Sequence, residues 1–399
     1  MTTAMRGYPR ADGRKGIRNV VAVAYLVECA HHVGRQIVSS AQDGDVHLIG
    51  FPGCYPNAYA QQMMEKLCTH PNIGAVLLLS LGCESFNKFS LADIVAKSGR
   101  PVHTLTIQHN GGSLKTIKAG QEWVAEQLAA LRNAPTVPMA VEELVIGTVC
   151  GGSDGTSGLT GNPAVGRAFD TLVSAGATCI FEETGELIGC EEIMASRAIS
   201  PELGDELRAS VAKAATYYAT LGYGSFAPGN ADGGLSTIEE KSMGAYAKSG
   251  SSPISGIVKP GTVPPRGGLY LMDVVPDGEV RYGFPNISDT AEIVELIASG
   301  SHMTLFVTGR GSVVGSAISP VIKVCANPDT YRRMEDDMDV DAGRILEGAA
   351  SLDEVGAEIF ELIQSVAAGA QTKSEALGHR EFILTYKSFE PAGPACLPN

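Results

Sequence analysis

Four cysteines recur at one kind of place. Cys29, Cys54, Cys83 and Cys150 each close a short apolar run, in YLVEC, GFPGC, LSLGC and IGTVC. If those runs are strands of open parallel sheets, all four stand at the carboxyl edge, where such sheets bind ligands. Glycine adjoins three of them and lets backbone come close to a ligand. Thiolates select soft or borderline metals such as iron and zinc, and Glu84 adds a carboxylate beside Cys83. Cys54, Cys83, Glu84 and Cys150 are therefore the candidate metal ligands. A single divalent ion ranks above an iron–sulfur cluster with one open iron. The competing reading is that cysteine fills strand ends as a small buried hydrophobe.

Cys150 opens the turn Gly151-Gly152-Ser153-Asp154, with a helix expected from Asn162. Successive N–H groups of a glycine turn, next to a helix N-terminus, suit a carboxylate or sulfonate. No Gly-Lys-Ser/Thr follows, so nucleotide binding has little support; the plainer alternative is a tight turn. Arg310 and Lys323 flank late strands and could clamp an anion. Glu182, Glu183, Glu186, Glu191 and Glu192 crowd one segment, a pattern that usually marks a solvated face. His109 follows another strand end, where an imidazole could exchange a proton near neutral pH. His31-His32 reads as capping or packing, and Glu335–Asp341 as a solvated helix end.

Elements must hold these residues in place. Asn19–Leu26, Val46–Phe51, Val76–Leu81 and Val102–Ile107 are continuous apolar runs, as expected of strands buried on both faces. Helical stretches alternate with them, which predicts a doubly wound parallel sheet with right-handed crossovers. Asn133–Glu142 reads as a linker. A second α/β region follows, with strands at Leu144–Val149, Thr178–Phe181, Leu269–Val275, Thr304–Thr308 and Val321–Ala326. Helices are expected at Asn162–Ala175, Pro201–Leu221 and Leu352–Ala367, and Gly/Pro/Ser-rich loops at Gly222–Gly234 and Ser249–Gly268. The fold class is α/β, two Rossmann-like doubly wound regions, with domains at 1–142 and 143–399.

Composition limits the alternatives. The net charge of −14 over 399 residues argues against nucleic-acid and anionic-membrane surfaces. No apolar run approaches the roughly 18 residues that span a bilayer, and the N-terminus lacks an apolar signal core, so a cytoplasmic protein is expected. Nine scattered cysteines do not make a disulfide framework. The 47 glycines suit backbone that approaches small polar ligands.

Several long motifs then carry a resemblance: GYPRADGRKGIRN (Gly7–Asn19), HPNIGAVLLLSLGCE (His70–Glu84), IQHNGG (Ile107–Gly112), CGGSDGTSGLTGNPAVG (Cys150–Gly166), PGNADGGLSTIEEKSMGA (Pro228–Ala245) and the segment from Thr308 to Gly343. Together they resemble the altronate/galactarate dehydratase family across nearly the whole chain. The resemblance implies a metal-dependent lyase, with Fe2+ as the metal, that removes the α-proton of a 2-hydroxy acid and expels a β-substituent to give a 2-oxo acid. The chain starts almost at the GYPRADGRKGIRN segment, so it resembles the large subunit of split, two-chain members and should work as a hetero-oligomer with a small subunit. AYLVECAHHV, GFPGCYPN and LGCESFN are most similar to the branch that cleaves (2R)-sulfolactate to pyruvate and sulfite. The α-proton would pass to His109, with Lys241 or Glu191 as competitors. Gly151, Gly152, Ser153 and Asp154 would hold one acid group, and Arg310 and Lys323 a second. The alternatives are a dehydratase of altronate- or galactarate-like sugar acids and a non-catalytic anion-binding scaffold.

Overall fold

The computed structural model describes residues 4–41, 44–222, 226–278, 288–385 and 387. Part of the loop expected over 222–234 lies outside them, as does Cys396. In the first region, β1 (Arg6–Pro9) and β2 (Lys15–Gly16) precede β3 (Val20–Tyr25), α1 (His31–Ser39), β4 (Val46–Gly50), α2 (Ala58–Cys68), β5 (Ile73–Ser80), α3 (Lys88–Lys97), β6 (Val102–Thr106), α4 (Ser113–Arg132) and β7 (Val137–Pro138). The four long apolar runs form one parallel sheet in the order β4-β3-β5-β6. β5 is buried at every position, as a strand covered on both faces must be. α1 and α4 supply Val33, Ile37, Val124 and Leu128 to one face, and α2 and α3 supply Met63, Met64, Leu67, Leu91 and Val95 to the other. Part of the expected linker is an edge strand instead, because β7 pairs antiparallel with β1.

The second region runs β8 (Val145–Cys150), α5 (Gly161–Ser174), β9 (Thr178–Phe181), α6 (Glu191–Ala195), α7 (Pro201–Leu221), α8 (Pro228–Asp232), α9 (Ile238–Tyr246), β10 (Ile254–Val258), β11 (Gly268–Met272), α10 (Asp289–Ala298), β12 (Met303–Thr308), β13 (Val321–Cys325), α11 (Pro328–Arg333), β14 (Val340–Asp341), α12 (Leu352–Ala367) and α13 (Lys373–Leu377). Its sheet is parallel throughout, in the order β10-β11-β9-β8-β12-β13-β14. β10 lies inside the segment expected to be loop, and the acidic stretch holds a short helical turn at Glu335–Asp337, close behind α11, and then β14.

Strand order reverses between β3 and β5 in the first sheet and between β8 and β12 in the second. Such switch points open crevices at the carboxyl ends. The two sheets share a core. Ala22 and Leu78 of the first and Val149, Ile180 and Phe306 of the second belong to one cluster with residues of α2 and α10. Tyr59 near the start of α2 hydrogen-bonds Glu295 of α10, and His70 just past its end bonds Ser301 O at 3.1 Å. The two helices therefore run in the same direction. That places the loop before α2, with Cys54, toward the same end as Asp289 at the start of α10.

Candidate active site

The switch point of the second sheet is built from the turn after β8 and the one after β12. Gly152 takes φ of +62°, where glycine is favoured, and its carbonyl accepts the Arg310 N–H at 2.9 Å. The Gly151 N–H is used by Val307 O at 3.0 Å and that of Asp154 by Ser157 Oγ at 3.1 Å, whereas those of Gly152 and Ser153 have no partner among the described residues. Asp154 organises this turn. Its carboxylate accepts from Thr156 N (2.9 Å), Thr156 Oγ1 (2.6 Å) and Asn327 Nδ2 (3.0 Å). The exposed Arg310 side chain reaches Gly229 O at 2.6 Å, which holds α8 over the turn. Ser153, Asp154, Asn162 and Lys241 line a cleft of about 360 Å³.

Behind the turn lies a buried charged cluster. Cys150 Sγ is 3.2 Å from Glu183 and 3.1 Å from Glu186, and Lys248 Nζ is 3.3 Å from that sulfur. Lys248 also pairs with Glu183, and Lys241 with Glu186. The lysines are seven residues apart, so α9 and the turn of helix after it present both on one side. Glu183 has φ of +77°, a left-handed conformation rare for a side-chain-bearing residue and most often kept at functional sites.

These surroundings set the charges. Burial raises the Cys150 pKa, and Glu183 and Glu186 raise it further, so the thiol keeps its proton. Burial would lift Glu186 too, but Lys241 and Lys248 hold it down at about 2. Burial disfavours charge on Lys241, yet Glu186 outweighs this and keeps its pKa above that of an ordinary lysine. Burial and neighbouring Glu186 push Asp289 up to about 6, and burial pushes Glu292 up to about 7.

The other expected site residues are spread more widely. Cys54, Cys83 and His109 are exposed at the carboxyl edge of the four-stranded sheet. Glu84 accepts the Gly82 N–H at 2.8 Å, and Glu191 accepts that of Gly189 at 3.0 Å. Lys323 is buried on β13, and its ammonium has no hydrogen-bond partner among the described residues; it does not line the cleft. Among the described residues, the ligand-atom groups tight enough for one ion are Cys150/Glu183/Glu186 and Glu182/Glu183/Glu292, so Cys54, Cys83 and Glu84 do not join Cys150 in such a group. Nothing in the sequence singles out Lys248, Asp289 or Glu292. The glutamate run is not the uniformly solvated face its pattern suggests: Glu182 and Glu183 are buried while Glu192 is exposed.

Residues 141–389 match the C-terminal domain of D-galactarate/altronate dehydratase, and residues 7–132 match the second domain of D-galactarate dehydratase/altronate hydrolase. The chain belongs to the D-galactarate/altronate dehydratase family. It is 33% identical to (2R)-sulfolactate sulfo-lyase subunit beta of Chromohalobacter salexigens, over 95% of this chain and 96% of that one. It is 30% identical to the altronate dehydratase of Escherichia coli, over 94% of this chain and 76% of that one. Against the galactarate dehydratase of the same organism it is 30% identical, over 91% and 72%. This member of the family is thus an enzyme of the lyase class. No helix among its described residues is long and apolar enough to cross a membrane.

Proposed function

We propose that the chain is the large, catalytic subunit of a metal-dependent lyase that converts (2R)-sulfolactate to pyruvate and sulfite. The observation that carries this reading is the match along almost the full length of a sulfo-lyase beta subunit. That relative's name, subunit beta, supports a partner chain, which we take to be a small subunit in a cytoplasmic hetero-oligomer. Two domains, 1–142 and 143–399, would meet over the site.

The free N–H groups of Gly152 and Ser153, the Lys241 ammonium and Arg310 offer positive potential for a small dianion in an otherwise acidic protein. Lys241 cannot act as a base while Glu186 holds it charged, so its role is to neutralise an acid group. His109 takes the C2 proton, with Glu191 as the alternative base. The electron pair of that C–H bond forms C2=C3, and the C3–S pair leaves with sulfite. The enol then takes a proton at C3 to become pyruvate. Sulfite leaves more readily than hydroxide, so the site needs less acid assistance than a dehydratase. Lys323 supports the fold around the second acid group rather than touching it.

Family membership points to a metal, and thiol and carboxylate donors suit iron. When bound, it supplies Lewis-acid polarisation of the 2-hydroxyl and carboxylate. The Cys150 group is already balanced by two ammonium groups, a poor setting for a dication, whereas Cys54 and Cys83 are exposed at the carboxyl edge of the first sheet. A substrate panel tests the assignment. Sulfite from sulfolactate supports it, and a 2-oxo-3-deoxy acid from altronate without sulfite would replace it with the dehydratase reading.

A further inference from the structure

We propose that Cys29, Cys54 and Cys83 together hold an iron–sulfur cluster at the carboxyl edge of the four-stranded sheet. The proposal rests on reading the chain as a metal-dependent lyase, and it puts Cys29 in the thiolate set in place of Cys150. Topology makes the three neighbours. They follow β3, β4 and β5, which lie side by side as β4-β3-β5, and the switch point falls between β3 and β5.

The loops are tied to one another close to the cysteines. The Glu28 N–H donates to Pro52 O at 3.3 Å, and Ser85 donates to Cys54 O from its N–H at 3.0 Å and its hydroxyl at 3.1 Å. Among the eight described cysteines these three are the exposed ones; the other five are buried. Packing therefore does not explain them. Cys150, by contrast, faces Lys248 at 3.3 Å and two carboxylates.

Spacing separates a cluster from a single ion. Three thiolates bound to one ion at about 2.3 Å stand about 4 Å from each other. The described ligand-atom groups within 4.8 Å do not include these cysteines. A polynuclear core spans a wider set and is ordinarily held by four cysteine thiolates. Three leave one iron without protein sulfur, open to an oxygen of the substrate. Glu84 is turned back onto its own loop through Gly82 and stays outside the thiolate set. Each thiol gives up its proton on ligation, and ferrous iron, ferric iron and sulfide come from the assembly mixture, so no further oxidant is needed.

The test is anaerobic reconstitution of the full chain with a mixture of ferrous and ferric iron and sulfide, read by iron and acid-labile sulfide content and by the visible sulfur-to-iron absorption. Wild type, Cys150→Ser and Cys68→Ser should bind both and absorb alike, whereas Cys29→Ser, Cys54→Ser and Cys83→Ser should each lose the absorption. Should a serine variant misfold, alkylation of the wild type decides: loading should protect Cys29, Cys54 and Cys83 from iodoacetamide. Iron bound without sulfide, an unchanged Cys29→Ser, or unchanged alkylation would overturn the proposal. A loaded chain that, together with its small partner, releases no sulfite would refute the assigned activity and leave the cluster standing; sulfite release by the cluster-free pair would do the reverse.

Discussion

The ammonium of Lys248 lies 3.3 Å from the sulfur of Cys150 and also pairs with Glu183, so one fully buried lysine compensates the interior of the site. Removing it strands a carboxylate in a medium that solvates charge poorly. Lys248→Met should cost about 3–5 kcal/mol of stability in urea unfolding. The double variant with Glu183→Gln should recover most of that loss, and additive losses would show that the two groups act independently.

Lys241 joins the buried cluster to the cleft. Lys241→Gln should lower kcat/KM by about 10²-fold or more, in line with the loss of one positioned electrostatic group. Lys241→Arg should restore part of it, mainly through KM. Equal damage from both would argue for a structural role.

Three neutral histidines join the sheets, and each loses its stabilising effect in acid. Nδ1 of His47 accepts from Ile318 N (2.7 Å), that of His70 from Asn72 N (3.1 Å) and that of His302 from Val145 N (2.9 Å). On their Nε2 side, His70 and His302 face Ser301 O (3.1 Å) and Lys15 O (2.8 Å). A second proton would turn each acceptor into a donor pointing at an N–H. Burial lowers His47 and His302 to about 4 and His70 well below its usual value. The unfolded chain takes these protons near pH 6.5, so their contribution is intact above that pH and falls progressively toward pH 4. Each ring contributes a slope of about 1.4 kcal/mol per pH unit in that window. Asp289 and Glu292, raised to about 6 and about 7, act in the opposite sense over the same range, so the test is a difference. The stability lost on His302→Gln should be larger at pH 7 than at pH 5 in urea unfolding, and a loss that does not change with pH would contradict the assignment.

Two glycines at the turn provide a paired steric test. A Cβ on Gly151 would overlap Asp289 Oδ2 and lie 2.6 Å from Phe306 Cζ, whereas one on Gly155 meets nothing nearer than 3.8 Å. Gly151→Ala should destabilise by about 1–3 kcal/mol. Gly155→Ala should be near neutral in the same thermal melts.

Much of this was legible in the sequence. Strands such as β3 and β5 declare themselves as unbroken apolar runs, and α12 shows clear amphipathic spacing, so both parallel sheets could be read. α10 could not. It is buried from Ala291 to Ala298, including Glu292 and Glu295, and so shows no polar face to reveal a helix. The glycine turn after Cys150 was readable because strand, glycines and helix are contiguous. The Cys150–Glu183–Lys248 cluster was not, because three separate segments supply it and its glutamates look like a solvated run.

The most direct measurement follows hydrogen and sulfur together. The anaerobic, iron-loaded chain with its small partner is given (2R)-sulfolactate deuterated at C2, in ordinary water. The account predicts sulfite and pyruvate in equal amounts, with the deuterium lost to solvent and the pyruvate methyl carrying only protium. Pyruvate that keeps the C2 deuterium, or no sulfite while altronate is dehydrated, would contradict it.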